Sequence, residues 1–220
     1  AHTELDTLHT KGRISDDKRN RLKALITGTT DKSLFSDADF VIEAVFEQLD
    51  VKKVVFAQLE EVVRPDCILA TNTSSLSVAE MAADLAHPER VVGFHFFNPV
   101  ALMPLLEIAR AEKTDDPCLA TAFAVGKGLK KSCVLVADRP AFVVNRLLNR
   151  FLGEIISCVD EGASFADADA AVHAMGLPMD PFVLVQMVGP AVAQHVAQTL
   201  NGHFPDRFHA SEKMGKLVAA

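Results

Sequence analysis

His95 stands near the end of the apolar run "RVVGFHF", and Glu107 interrupts "MPLLEIAR", so a base and a carboxylate are each set among apolar neighbours. An imidazole takes a proton from an alcohol near neutral pH, and a carboxylate on its far nitrogen fixes the tautomer and stabilises the imidazolium that forms. The same two residues also suit a bland role, a packed core histidine beside a strand-end charge, and spacing alone does not choose between the readings. More polar residues collect where other short apolar runs stop: Glu43 and Glu47 around "DFVIEAV", Asn72 to Ser75 in "ATNTSSLSV", and Asn98 after "HFF".

The elements that must hold these groups read as strands alternating with helices. "DFVIEAV", "CILATNT", "RVVGFHF", "MPLLEIAR" and "SCVLVAD" are short, apolar and bounded by turn residues, as buried strands are. Ahead of them a helix is expected from Ser15 to about Ile26, with Ser15 or Asp16 as its cap. Asp50 is expected to cap a helix whose apolar positions run from Val51 to Val63 and which ends at Arg64-Pro65. Ser77 opens a capping-box helix that stops near His87-Pro88, and Asp116, followed by Pro117, caps one that finishes around Gly126 or Gly128. Such alternation predicts a mostly parallel sheet covered by helices, which binds ligands beyond the carboxyl ends of its strands.

After Asp138 the strands cease. Pro140 is expected to open a helix reaching about Asp160, Ser164 to cap one ending at Gly176, and Pro181 to begin a third broken at Gly189-Pro190; a fourth runs to Asn201-Gly202. A domain boundary is therefore placed between an α/β part, residues 1–138, and an all-helical part, residues 139–220.

With 220 residues, 49% of them hydrophobic, the chain can bury a good core, and a net charge of -7 gives no electrostatic case for nucleic acid. Cys67, Cys118, Cys133 and Cys158 form no C-x-x-C pair, which favours reduced, buried thiols in a cytoplasmic protein. The histidines form no H-E-x-x-H, and His195, His203 and His209 straddle turn residues, so no metal is expected. The apolar stretch from Phe182 to Leu200 is interrupted by Gln186, Gly189, Pro190, Gln194 and His195, so no membrane span is expected. Lys52 taken alone reads as a solvated helix charge, Asn98-Pro99 as an ordinary turn, and Phe96 and Phe97 as core. The basic helix "DDKRNRLK" reads as a solvated face, with an approach to coenzyme A phosphates as the alternative.

Taken together and in order, "DADFVIEAVFEQLDVKK", "ATNTSSLSV", "VVGFHFFNPVALMPLLEIAR" and "RPAFVVNRLL" closely resemble the L-3-hydroxyacyl-CoA dehydrogenase family. The tail "GLPMDPFVLVQMVGPAVAQHVAQTLNGHFPDRF" is most similar to the dehydrogenase region of multifunctional fatty-acid-oxidation α-subunits. The resemblance implies a Rossmann-type sheet followed by a helical substrate and dimerisation domain. It also implies oxidation of (3S)-3-hydroxyacyl-CoA to 3-oxoacyl-CoA, with hydride passing to NAD. Carried over by residue, His95 matches the general base and Glu107 its carboxylate partner. Ser74 matches the serine that bonds the substrate oxygen near the nicotinamide, and Asn145 the asparagine that reaches the substrate from the helical domain. Ala44, Glu47, Lys52, Ser74 and Asn98 match cofactor-binding positions. A homodimer, or a place in a larger β-oxidation complex, follows by the same resemblance.

The sequence departs from the family in one respect: no G-x-G-x-x-G occurs in it, nor the acidic residue about twenty positions later. Ala1 corresponds to a point after the family's first strand-loop-helix-strand, so the sheet is expected to be N-terminally truncated with an apolar strand edge exposed; the family also continues beyond "KLVAA". Two rival readings therefore stand beside the dehydrogenase: a catalytically silent fragment that binds acyl-CoA or a dinucleotide, and a dehydrogenase of another 3-hydroxy acid.

Overall fold

A computed structural model describes residues 1–177 and 179–219; Pro178, inside the "GLPMDPF" segment, and Ala220 lie outside the described residues. The chain forms two compact units, residues 1–37 and residues 38–220. In the first, α1 (His2–Thr10) and α2 (Asp16–Ala24) precede a 3-10 turn (Lys32–Phe35). Ser15 is the cap of α2, its hydroxyl accepting the Lys18 amide at 3.3 Å. Helix α1 was not expected from "HTELDTLHT", whose apolar residues form no stripe; it buries no residue and is tied to α2 by Lys23 and Asp6 at 2.6 Å.

The second unit is built on a five-stranded sheet in the order β1 (Phe40–Glu43), β2 (Ile68–Thr71), β3 (Val91–Phe96), β4 (Leu105–Arg110), β5 (Ser132–Ala137). Strands β1, β2 and β3 run parallel, as do β4 and β5, whereas β3 and β4 are antiparallel. The reason lies in the connections. Only residues 97–104 join β3 to β4, too few for the crossover a parallel pair needs.

One face of the sheet buries Ile68, Ala70, Val92, Phe94, Leu106 and Ile108 against Cys118, Leu119 and Ala122 of α5 (Asp116–Gly128). On the other face α4 (Val78–Ala82) lies flush on β3 because residue 93 is glycine: a Cβ there would stand 2.6 Å from Ala109 Cβ and 3.1 Å from Val78 Cγ2. Phe96 is half-buried against the first core, and Phe97 is half-buried with its ring 4.5 Å from that of His95. Both outer strands carry exposed apolar side chains, Ile42 on β1 and Val134 and Leu135 on β5.

Three helix starts and several stops differ from the sequence expectation; α3 closes at Glu60, ahead of Arg64-Pro65, and α7 at His173, ahead of Gly176. Helix α3 (Leu49–Glu60) is capped by Gln48, not Asp50, and Asp50 falls in the first turn, where its charge favours the helix dipole. Helix α5 is capped by Asp115, not Asp116, with Oδ1 accepting the Cys118 amide at 2.7 Å. Helix α4 ends at Ala82, not near His87, because Glu60 draws the following segment away by accepting the amides of Ala86 (2.8 Å) and His87 (3.0 Å). Pro140 does not open a helix: Ala141 and Phe142 have φ of 59° and 45°, left-handed values incompatible with an α-helix, so α6 begins at Val144.

The helical part comprises α6 (Val144–Asp160), α7 (Phe165–His173), α8 (Pro181–Val188), α9 (Pro190–His203) and the unanticipated α10 (Glu212–Ala219). Ile155 and Val159 of α6 pack on Ala168 and Val172 of α7, while Leu200 of α9 packs on Ala141 and Phe208. Of the cysteines, Cys67 and Cys118 are buried, and burial pushes the Cys118 thiol up to about 12. Cys158 is exposed, contrary to the expectation of buried thiols throughout, because it faces outward on α6.

Candidate active site

The antiparallel register sets His95 of β3 directly opposite Glu107 of β4, so residues 12 apart in sequence are cross-strand neighbours on one face. His95 Nδ1 lies 2.8 Å from Glu107 Oε2. The other carboxylate oxygen, Oε1, accepts the backbone amides of Val143 (3.1 Å) and Val144 (2.9 Å) at the start of α6. Glu107 is 1% exposed. Burial pushes its carboxyl up, but the hydrogen bond to His95 and the amides of Val144 and Val143 outweigh that and hold it below the usual carboxylate range. A carboxylate only accepts, so His95 Nδ1 carries the proton of that bond; in the neutral ring Nε2 then has a free lone pair.

A second cluster lies at the carboxyl ends of β1 and β2. Lys52 of α3, wholly buried, donates to both oxygens of Glu43 (2.9 and 3.0 Å) and stands 3.3 Å from Glu47 Oε2. It is therefore no solvated helix charge. Glu43 also accepts from Thr71 Oγ1 at 2.7 Å and the Val45 amide at 2.6 Å, which satisfies a carboxylate that would otherwise be costly to bury. Glu47 Oε1 gathers the next segment: Thr73 Oγ1 donates at 2.6 Å and the Ser74 amide at 2.9 Å. Burial pushes the Glu47 carboxyl up, yet Thr73, the Ser74 amide and the Lys52 charge together bring it below its usual value.

These strand ends open into a cleft of about 520 Å³, walled on the sheet side by Glu47, Asn72, Ser74, His95 and Asn98. Helix α9 supplies the facing wall through Ala191, Val192, His195 and Val196, none of which the sequence marked as site residues. Asn72 also ties two strand ends together, its Oδ1 accepting the Phe96 amide at 3.0 Å. The structure thus brings Glu47, Ser74, His95 and Asn98 to one cleft, with Glu107 directly behind His95. Exposed Ala44, buried Lys52 and half-buried Asn145, in the first turn of α6, lie outside its walls. The cleft lies beyond the carboxyl ends of the parallel strands, where sheets of this type bind their ligands. Among the described residues no group of three or more His, Cys, Asp or Glu is placed to hold a metal ion, and no helix is long and apolar enough to cross a membrane.

Fold and site define a Rossmann-type α/β protein with a histidine-carboxylate pair across two antiparallel strands and a helical part after the sheet. Residues 1–139 match the model of the 3-hydroxyacyl-CoA dehydrogenase NAD binding domain, and residues 142–220 that of the 3-hydroxyacyl-CoA dehydrogenase C-terminal domain. The chain belongs to the 3-hydroxyacyl-CoA dehydrogenase family. It is 38% identical over 203 residues to the fatty acid oxidation complex subunit alpha of Psychrobacter arcticus, a match covering 92% of this chain and 28% of that protein. It therefore spans less than a third of that relative's length. Among solved structures, (S)-3-hydroxybutyryl-CoA dehydrogenase from Ralstonia eutropha matches with a TM-score of 0.93 and 33% identity, over 99% of this chain and 78% of the other. FadB2 of M. tuberculosis gives a TM-score of 0.92 and 36% identity, again over 99% of this chain and 78% of the other.

Proposed function

We propose that this chain oxidises (3S)-3-hydroxyacyl-CoA to 3-oxoacyl-CoA as a step of fatty-acid β-oxidation. The observation that carries the reading is the buried His95–Glu107 pair behind a polar cleft in a chain of this family. NAD, when bound, supplies the hydride acceptor. His95 Nε2 takes the proton of the 3-hydroxyl group, while Glu107 keeps Nδ1 protonated and offsets the positive charge that forms. Ser74 Oγ donates to Glu47 Oε1 at 3.3 Å in the free chain and turns that proton to the same substrate oxygen when substrate binds, and Asn145 approaches the substrate from the helical side. Ala44, Glu47, Ser74 and Asn98 hold the cofactor; Lys52 serves it through Glu47, which it anchors from beneath.

Residues 1–138 form the nucleotide-binding domain in this reading, and residues 139–220 the substrate and dimerisation domain. The protein works in the reducing cytoplasm, in keeping with its four free cysteines, as a homodimer or within a larger β-oxidation complex like that named for its relatives. Fluorescence titration with NADH tests the cofactor assignment directly, because a chain with no Trp and no Tyr adds little protein background. Saturable binding that is followed by turnover of a 3-hydroxyacyl-CoA is expected. Absence of binding would remove NAD from the account, and binding without turnover would leave only a binding role.

A further inference from the structure

Ser74 lies in a segment held at both ends by carboxylates from elsewhere in the chain. At its start Glu47 Oε1 accepts from Thr73 Oγ1 (2.6 Å) and from the amides of Ser74 (2.9 Å) and Ser75 (3.3 Å). At its end the carboxylate is Asp138, the residue that follows β5. Asp138 Oδ2 accepts from Ser77 Oγ (2.9 Å) and the Ala79 amide (2.8 Å), while Oδ1 accepts the Val78 amide (3.0 Å). Ser77 Oγ is thereby fixed twice, since it also accepts the Glu80 amide at 3.3 Å.

Asp138 is also where the connection from sheet to helical part begins. Five residues later the same connection presents the Val143 and Val144 amides that hold Glu107. It is stiff, for Ala141 and Phe142 are buried and held at left-handed φ. One short connection therefore grips the serine segment at one end and the partner of His95 at the other.

We propose that Asp138 is a positioning residue that sets Ser74 relative to His95. The inference rests on the reading of Ser74 as the group that bonds the substrate oxygen. A carboxylate receiving two amides and a hydroxyl fixes the segment more tightly than a neutral cap does, because charge-assisted hydrogen bonds are shorter and stronger. Displacing a substrate-contacting group by about 1 Å costs up to about 10²-fold in rate.

The test is a double-mutant cycle on the purified protein with Asp138→Ala and Ser74→Ala, following kcat, KM, NADH affinity and thermal midpoint. Asp138→Ala is expected to lower kcat roughly tenfold and to have almost no further effect on kcat or on NADH affinity once Ser74 is alanine. Asp138→Asn keeps the shape and one acceptor and should fall between wild type and Asp138→Ala; it replaces the alanine variant in the cycle if that one does not fold. Equal losses in both backgrounds would overturn the inference, as would an Asp138 variant with wild-type turnover. Wild-type turnover by Ser74→Ala would instead remove the reading of Ser74, and the inference with it.

Discussion

Glu107 carries two tasks on one carboxylate: Oε2 faces the His95 ring and Oε1 takes two helix-start amides. Glu107→Gln removes the charge that favours a protonated ring and is expected to lower kcat about 10²-fold. It also changes how stability depends on pH. Because the folded-state pKa of Glu107 lies below that of the unfolded chain, its contribution is fully present above the ordinary glutamate value of about 4.3 and is lost as pH falls through the depressed folded value. Denaturant unfolding of wild type and Glu107→Gln from neutral pH to about pH 3 should therefore show their stability gap shrinking; a gap independent of pH would contradict the assignment. His95, Ser74 and Glu47 were legible as residue types near strand ends, and Glu107 as a charge within the apolar run of β4. The burial of Lys52 was not, because it depends on Glu43 lying beneath the first turn of α3, and no local pattern encodes that contact.

At the scale of elements, the antiparallel register of β3 and β4 brings the pair together. The signal was present in the short connection from Phe97 to Pro104, which excludes a crossover helix. Alternating strands and helices gave the rest of the sheet, because buried parallel strands are apolar runs whatever their neighbours. The turn before α6 was not legible, since left-handed φ falls on Ala141 and Phe142 and no glycine announces it. The close contact at Gly93 makes the register testable. Gly93→Ala would drive a methyl group into Ala109 on β4 and Val78 on α4, and is expected to cost about 1–3 kcal/mol with a loss of turnover exceeding the loss of folded protein. Thermal unfolding with parallel rate measurements checks this; an unperturbed, fully active variant would contradict the close approach of β3 and β4.

At the scale of the whole molecule, sheet and helical part lie in one compact unit, and a contact between them runs through the His95–Glu107 pair, because α6 begins at the amides that bind Glu107. The composition shift after Asp138 was legible from strands giving way to helices. The wall that α9 lends to the cleft was not, because it arises from packing between distant segments. The central claim is that His95 acts as a base on a 3-hydroxyacyl-CoA. It is tested most directly by NADH formation from NAD and (3S)-3-hydroxybutyryl-CoA, with the (3R) enantiomer as control, in wild type and His95→Ala. Turnover of the (3S) substrate alone is expected, falling about 10²- to 10⁴-fold in His95→Ala while NADH still binds. Wild-type turnover by His95→Ala would contradict the account.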